Sequence, residues 1–380
     1  MHVTRPVFYP SFRCVAGRCS DTCCAGWEVS VDADSLARYR AVPGGFGRLL
    51  NDSLVPDGDG VRFRTDPAGR CALLRPDGLC ELICRMGEDA LCEICAQHPR
   101  FHEWFGDHKE SGLGLCCEEA ARLWLAGEDS IRFETVQTSE ASGPPVDTDR
   151  FHALLHARDA GFSLLQNRRL PFRARLSLVL ALGTDTQLCL ERKDLGAIHQ
   201  TAAAYGRQDG QPTLWSRLSP RCDGRGDPCA SLRGLTGFLR RQEPMDPAWP
   251  ERMAHLEDAC KGSFAWARHL QQALPSPVWY EHAAVYFLYR YFLKALFDGD
   301  VLGRCKFAVL STLALCLLDA ETLARQGELC RRQRIDNAKA YSKELEYNPD
   351  AMAGLAGLLW EDEQFSLENL FAFAALFSSF

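Results

Sequence analysis

Four thiols occur within eleven residues in the segment Cys14-Val-Ala-Gly-Arg-Cys19-Ser-Asp-Thr-Cys23-Cys24-Ala-Gly-Trp27. A buried free cysteine that serves only as a small apolar side chain usually occurs singly. Thiolates that converge on one soft metal ion instead occur in groups with short spacings. Further cysteines follow, and eleven of the eighteen in the chain lie before residue 118. We therefore expect a metal centre around which the N-terminal part is organised.

The bulk composition predicts a globular protein of two or three compact domains. The chain has 380 residues, of which 46% are hydrophobic and 24% are charged. A net charge of -7 and the absence of a Lys/Arg block argue against a nucleic-acid partner. The N-terminus lacks the apolar core of a secretory signal, so we expect a cytoplasmic protein. In that reducing compartment, eighteen cysteines favour metal ligation over disulfides.

Three regions are predicted from the pattern along the chain. Residues 1–130 form a Cys-rich, turn-rich, metal-binding module, in which residues 61–65 alternate as a short strand does. Residues 131–150 have the Ser, Thr, Gly and Pro content of a linker. Residues 151–380 form an α-helical domain. The predicted fold class is therefore mainly α, with a Cys-rich N-terminal module that has few short strands and packs on the C-terminal helices.

The helical periodicity of the C-terminal region sets its expected elements. Predicted helices cover residues 151–166, 172–182, 192–206, 231–242, 250–273, 279–297, 303–323, 331–345 and, in two pieces, 350–379. Residues 209–228 are predicted as a surface loop, and 279–297 as a central helix. The nearly apolar run 307–318 is shorter than the roughly 20 residues that cross a bilayer, so we expect no transmembrane segment.

An apolar stripe lies near the C-terminus, at Leu367, Leu370, Phe371, Ala374 and Phe377. Membrane-surface helices usually combine such a stripe with a basic polar face, which this stripe lacks. We therefore expect a core helix, while peripheral membrane association stays open, as does assembly into an oligomer.

The cysteine spacing indicates metal without choosing the ion, since zinc and iron are both ligated by four thiolates. The adjacent side chains of Cys23 and Cys24 tend to diverge, so they rarely bind one ion together. Nine or more thiols exceed one tetrahedral site, which leaves two sites or one cluster with surplus cysteines. The nearby His98, His102 and His108 are expected mainly in solvated or capping roles. Later cysteines, including Cys260 and Cys316, are expected mostly in the core.

Several motifs together point to a known family. The N-terminal motifs are Phe12-Arg-Cys14…Cys19-Ser-Asp-Thr-Cys23-Cys24-Ala-Gly-Trp27-Glu-Val, Arg70-Cys71…Asp77-Gly-Leu-Cys80, Leu91-Cys92…Cys95…Pro99-Arg100 and Cys117…Glu119-Ala-Ala-Arg122-Leu. The C-terminal motifs are Trp279-Tyr-Glu281…Tyr286…Arg290-Tyr-Phe and Tyr341-Ser342-Lys-Glu-Leu-Glu-Tyr-Asn348-Pro. This combination resembles the bacterial flagellin lysine-N-methylase (FliB) family, specifically over the first 125 residues and only loosely over residues 130–275.

The resemblance implies an S-adenosylmethionine-dependent enzyme that methylates surface lysine ε-amines of flagellin in the cytosol. It also implies an oxygen-sensitive [4Fe-4S] cluster, for which zinc is the alternative metal. The thiols that match the family position by position are Cys14, Cys19, Cys23, Cys24, Cys71, Cys80, Cys92, Cys95 and Cys117. By the same comparison Cys84 and Cys116 are extra, and Tyr347 stands where the family is expected to have a histidine.

The methyl donor's pocket cannot be read from the sequence. The Gly-x-Gly-x-x-Gly turn of doubly wound methyltransferases is absent, and we expect Gly112-Leu-Gly114 to be a turn. A lysine amine must lose a proton before it attacks, so the site needs a proton acceptor and an aromatic or acidic wall. The candidates are Glu281, Tyr286 and Arg290, of which only the last two share a helix face. A buried ion pair or hydrogen bond that ties central helices together is favoured over catalysis as the explanation of these residues.

Two other functions fit the same residues. One is a non-enzymatic zinc- or iron-chelating module on a helical protein-binding platform, and the other is a redox carrier. The first predicts metal without affinity for S-adenosylmethionine, and the second predicts reversible reduction without methyl transfer.

Overall fold

The computed structural model describes residues 1–258, 265–274 and 276–378, without the side chain of Trp266. This part of the chain is mainly helical, which confirms the mainly α part of the predicted class, while metal binding by the N-terminal module stays a prediction. Its helices are α1 (Ala33–Arg40), α2 (Gly44–Asp52), α3 (Glu81–Met86), α4 (Glu93–Gln97), α5 (Glu118–Leu125), α6 (Thr148–Leu165), α7 (Phe172–Glu191), α8 (Leu195–Gly206), α9 (Gln211–Cys222), α10 (Pro228–Arg240), α11 (Trp249–Asp258), α12 (Ala265–Ala273), α13 (Val278–Tyr291), α14 (Ala295–Asp298), α15 (Val301–Gln326), α16 (Arg331–Glu346), α17 (Pro349–Glu361) and α18 (Leu367–Ala375).

The strands are short and form two sheets. They are β1 (His2–Pro6), β2 (Leu54–Asp57), β3 (Gly60–Phe63), β4 (Arg100–Phe105), β5 (His108–Leu113) and β6 (Phe133–Gln137). β2 and β3 pair as an antiparallel hairpin, which confirms the short strand predicted at residues 61–65. The other four form one sheet in the order β4-β5-β1-β6, in which only β1 and β5 are parallel.

The β4–β5 hairpin corrects the prediction of a turn at Gly112-Leu-Gly114. The chain turns instead at Gly106 and Asp107, where Gly106 has a φ of +68°, a conformation that glycine adopts at low cost. Gly112 lies within β5 opposite Phe101. A Cβ atom at this position would lie 2.2 Å from the Phe101 ring. Gly112 therefore provides room for an aromatic ring across the hairpin.

Helices α13 and α15 form the centre of the helical core. All residues of α13 except Arg290 are buried, which confirms that this segment is central. Within the described part, α15 is the one helix with the length and composition of a membrane span, but 89% of its apolar stretch is buried inside the protein. The predicted stripe of α18 is also internal, since Leu370, Ala374 and Phe377 are fully buried. Both helices therefore bury their apolar faces within the protein.

The segment predicted as a linker, residues 131–150, contains strand β6. Phe133 explains why this segment is ordered, because its ring stacks 4.5 Å from that of Tyr289 and 5.0 Å from that of Phe162. β6 also pairs along its whole length with β1. Residues 133–137 thus attach the sheet to the helical core.

The segment predicted as a surface loop, residues 209–228, contains helix α9. Its Pro212 suits the first helical turn, where no backbone N–H is required. Leu214, Trp215 and Leu218 recur at helical spacing and pack against the main core. The Gly, Pro and Asp content of this segment concealed that pattern.

The buried apolar residues of the described part form two separate hydrophobic cores. The small core lies in the Cys-rich region and consists of Val29, Val31, Tyr39, Leu50, Phe63, Leu73, Leu82, Ala90 and Cys92. The large core includes sheet residues such as Phe105 and Leu113 together with the C-terminal helices. The boundaries proposed at residues 130 and 150 stay predictions.

The Tyr289→Phe substitution tests how strongly the sheet is attached to α13. The buried Tyr289 hydroxyl donates to the carbonyl oxygens of Thr4 in β1 and Ser111 in β5, at 2.9 and 3.0 Å. Its removal leaves two buried acceptors without this donor, so we expect the free energy of unfolding to fall by about 1–2 kcal/mol. Urea unfolding measures the change, and an unchanged midpoint would contradict the attachment.

Candidate functional site

The Cys-rich segment at residues 14–27 lacks long secondary structure and is held by charged contacts. The backbone N–H and the hydroxyl of Ser20 both donate to Glu118 at the start of α5. The Lys343 ammonium on α16 donates to the carboxylate of Asp21. These contacts place the segment between α5 and α16, beside the C-terminal helices.

Six of the predicted thiols lie in one neighbourhood, which we call the inner thiols: Cys23, Cys24, Cys71, Cys80, Cys92 and Cys95. The Cys24 thiol is hydrogen-bonded to both Cys23 and Cys80. Cys92 is hydrogen-bonded to Cys95, and the charges of Cys23 and Cys80 act on Cys95. The Cys71 backbone N–H donates to the Cys24 carbonyl oxygen at 2.8 Å. Four separate chain segments therefore bring their thiols together.

Hydrogen bonds between these thiols favour the thiolate form in three of them. The bond from Cys24 lowers the pKa of Cys80 to about 6 and that of Cys23 to about 7. The bond from Cys95 lowers the pKa of Cys92 to about 7. The donors Cys24 and Cys95 have raised pKa values for the same reason. Since the thiolate is the form that ligates metal, the neighbourhood is suited to a cation.

The three remaining predicted ligands form a second group, which we call the outer thiols: Cys14, Cys19 and Cys117. Burial raises the pKa of Cys117 to about 11, and the charges of Cys19 and Cys14 raise it further. The Cys19 thiol lies 3.7 Å from the Glu118 carboxylate. The nine thiols therefore divide into groups of six and three.

The chemistry of both groups fits a soft metal or an iron–sulfur cluster, since thiolates are the preferred ligands of each. Their present arrangement is not that of bound ligands, because no three His, Cys, Asp or Glu side chains in the described part are placed to hold a metal ion. Cys84 is exposed on α3, and Cys316 is buried in α15. Cys260 lies outside the described residues.

An aromatic wall lies where the Cys-rich segment meets α16. The rings of Trp27 and Tyr347 stack at 5.5 Å, and the ring of His98 lies 5.2 Å from Trp27 and 6.2 Å from Tyr347. Gly114 provides room for this arrangement, because a Cβ there would lie 2.5 Å from the Tyr347 hydroxyl. Cys116, an extra thiol by the family comparison, is buried 4.0 Å from His98 Nε2. Trp27 is part of the first N-terminal motif, but the sequence indicated no role for it.

The other two predicted histidines lie away from the cysteines, and only His102 forms side-chain hydrogen bonds within the described residues. His102 Nδ1 lies 2.8 Å from the Ser111 hydroxyl, and His108 Nε2 lies 3.8 Å from the Glu110 carboxylate. Neither contact involves a cysteine.

The side chain of Glu346, at the last residue of α16, is completely buried beside this wall. Its Oε2 accepts hydrogen bonds from Tyr286, Arg290 and Tyr291 of α13, at 2.8, 2.9 and 2.7 Å. Its Oε1 has no hydrogen-bond partner among the described residues. Glu346 is part of the second C-terminal motif, but the sequence indicated no role for it. Tyr286 and Arg290 therefore both bind the Glu346 carboxylate, as expected of two residues that share a helix face.

Glu281 lies apart from that pair. Its carboxylate is fully buried and accepts hydrogen bonds from Arg168 at 2.9 Å and from Arg175 at 2.6 Å. These arginines belong to the loop before α7 and to α7 itself. The three candidates named from the sequence thus occupy two places on α13, and the contacts of Glu281 are those of a buried ion pair.

Comparison with known proteins identifies a family and several relatives of this chain. The profile of the FliB lysine N-methylase C-terminal domain matches residues 158–373. The flagellar biosynthetic protein FliU of Salmonella muenchen is 29% identical over 135 residues, which cover 34% of this chain and 80% of FliU. The lysine-N-methylases of Salmonella typhimurium and Salmonella choleraesuis are each 27% identical over 135 residues, 34% of this chain and 34% of theirs. The alignment thus spans about a third of those two enzymes, and no solved structure matches.

Serine substitutions at Cys80 and Cys84 test the assignment of the inner thiols. Both residues lie at α3, but Cys80 contacts Cys24 whereas Cys84 is exposed. We expect Cys80→Ser and Cys92→Ser to lose most of the bound metal, because each removes a predicted ligand, whereas Cys84→Ser and Cys316→Ser retain it. Iron, sulfide and zinc assays after anaerobic purification measure this, and equal metal content in all four variants would refute the assignment.

Proposed function

Because this chain belongs to the FliB lysine N-methylase family, we propose that it methylates lysine ε-amines on a protein substrate. The match to the family domain over residues 158–373, which contain α13 and α16, carries this proposal. The proposed methyl donor is S-adenosylmethionine, and the proposed substrate is flagellin. The proposed location of the reaction is the cytoplasm. A relative named as a flagellar biosynthetic protein supports the choice of substrate.

The chemistry demands two features of the protein. A lysine ammonium has a pKa near 10.4 and must lose a proton before its nitrogen attacks. When bound, S-adenosylmethionine supplies a methyl group on a positively charged sulfur. The protein must therefore accept a proton and stabilise positive charge beside the reacting nitrogen.

The aromatic wall of Trp27, His98 and Tyr347 is the part of the site that stabilises positive charge beside the reacting nitrogen. Burial lowers the pKa of His98 to about 4, so its ring is neutral at neutral pH. Burial raises the pKa of Tyr347, so its hydroxyl is also uncharged. The face of Trp27 already carries the Lys343 ammonium at 5.7 Å from the ring centre. This contact supports the proposal that the aromatic wall can hold the ammonium group of a lysine.

Glu346 is the residue that accepts the proton from the substrate lysine. Its Oε1 lacks a partner in the described part and is the proposed proton acceptor, while Oε2 is held by three donors from α13. In this proposal Tyr286 and Arg290 act as positioning residues, because they fix the carboxylate. Glu281 takes no part, since its carboxylate is bound to Arg168 and Arg175.

The inner thiols are the proposed ligands of the [4Fe-4S] cluster. Such a cluster supplies either a redox centre or a rigid joint between the four chain segments that carry these thiols. The outer thiols are the proposed site of a second metal. Zinc in place of iron remains the alternative at both groups.

Methyl transfer to flagellin tests the proposed function directly. The protein, purified without oxygen, is incubated with flagellin and S-adenosylmethionine that carries a labelled methyl group, and lysine modification is measured by mass spectrometry. We expect labelled N-methyl-lysine. Metal binding with neither label nor affinity for S-adenosylmethionine would overturn the proposal in favour of a chelating module on a protein-binding platform.

The Trp27→Leu substitution tests the aromatic wall. Loss of the indole removes a cation–π contact that contributes about 0.5–2 kcal/mol, so we expect kcat/KM to fall up to about 30-fold, with partial recovery in Trp27→Phe. Trp360→Leu is the matched control, because Trp360 is exposed on α17. Equal rates in Trp27→Leu and Trp360→Leu would exclude the wall from the reaction.

A further inference from the structure

A cavity of about 430 Å³ opens where α7 and α13 begin. Its lining includes Arg168, Arg169, Arg175, Pro171, Pro277 and Glu281. Small-molecule sites commonly have volumes of about 300–1,000 Å³, so the cavity is large enough for a ligand. It lies on the face of α13 that carries Glu281, away from the contacts of Tyr286 and Arg290 with Glu346.

The cavity carries more positive than negative charge. Three guanidinium groups face one carboxylate, and the Glu281 carboxylate already binds Arg168 and Arg175. The Arg169 side chain has no ion pair or hydrogen bond with any residue that the structure describes. Arg175 is 3% exposed, yet its Nε lacks a hydrogen-bond partner in that same part of the chain. The ion pairs therefore leave donors uncommitted.

Two helix N-termini add to this positive charge. α7 and α13 have 20 and 14 residues, and their N-cap positions are occupied by Pro171 and Pro277. Neither proline provides a side chain that caps the helix. The N-terminus of a long helix carries a partial positive charge that favours an anion. Both termini contribute lining to the same cavity.

We propose that this cavity binds a small molecule through an oxyanion, a phosphate or a carboxylate, held by Arg169 and Arg175. A planar guanidinium matches both groups with paired hydrogen bonds. In this proposal Glu281 orients the side chains of Arg168 and Arg175 in the lining of the cavity. A purely structural ion pair would not require the additional charge of Arg169.

The oxyanion has two chemical sources. One is the phosphate of a phosphorylated small molecule, which makes the cavity a separate site. The other is the carboxylate of S-adenosylmethionine, and only this source rests on the proposed function. Decarboxylated S-adenosylmethionine distinguishes them, since it lacks the carboxylate.

The experiment compares the wild-type protein with Arg169→Gln and Arg192→Gln. Arg169 contributes only its backbone to a hydrogen bond, with Asn167, so its replacement preserves the fold. Arg192 follows the opposite end of α7, about 30 Å away, and its replacement makes the same change in charge. Isothermal calorimetry in phosphate-free buffer measures the binding of inorganic phosphate, S-adenosylmethionine and decarboxylated S-adenosylmethionine.

We expect Arg169→Gln to weaken the binding of phosphate or of S-adenosylmethionine about tenfold or more, the effect of one charged hydrogen bond, while Arg192→Gln binds as the wild type does. Weaker binding of S-adenosylmethionine, without a change for the decarboxylated form, assigns the cavity to the donor's carboxylate. Weaker binding of phosphate alone assigns it to a phosphorylated ligand. The proposal is overturned if Arg169→Gln weakens neither ligand, whatever the outcome of the methyl-transfer assay.

Discussion

The carboxylate of Glu346 connects the two halves of the candidate site. A buried carboxylate is costly unless charged and neutral donors surround it, and Tyr286, Arg290 and Tyr291 supply three such donors from one helix. This requirement fixes α16 against α13. The next residue, Tyr347, is thereby placed against Trp27, so the Cys-rich segment and the C-terminal helices contribute to one wall.

The helical part of the fold was readable from the sequence because apolar residues recur there at helical spacing, as α13 and α15 demonstrate. The four-stranded sheet was not recognised. β4 and β5 carry polar residues such as Glu103 and Glu110, so the hairpin reads as polar although Gly106-Asp107 is a recognisable two-residue turn. β1 and β6 pair across more than 120 residues, and no local pattern in the sequence specifies such a contact.

The sequence indicated which residue types meet at the candidate site but not how they are arranged. Short spacings identified the cysteines, yet the contact between Cys24 and Cys80 depends on how the chain between them folds. The helical period correctly separated Glu281 from Tyr286 and Arg290. It did not indicate Glu346, because a single glutamate in a helix of mixed polarity looks like an ordinary surface residue. The arginine cavity likewise forms only when the starts of α7 and α13 meet.

The rate of lysine methylation by Glu346→Gln tests the role of the Glu346 carboxylate most directly. Glu344→Gln is the control, because Glu344 lies on the same helix. Its carboxylate accepts hydrogen bonds only from the backbone N–H groups of Met245 and Asp246. We predict that kcat falls about 100-fold or more in Glu346→Gln at neutral pH, recovers as the pH approaches the pKa of the substrate lysine, and stays near wild type in Glu344→Gln. A wild-type rate and pH profile in folded Glu346→Gln would contradict the account.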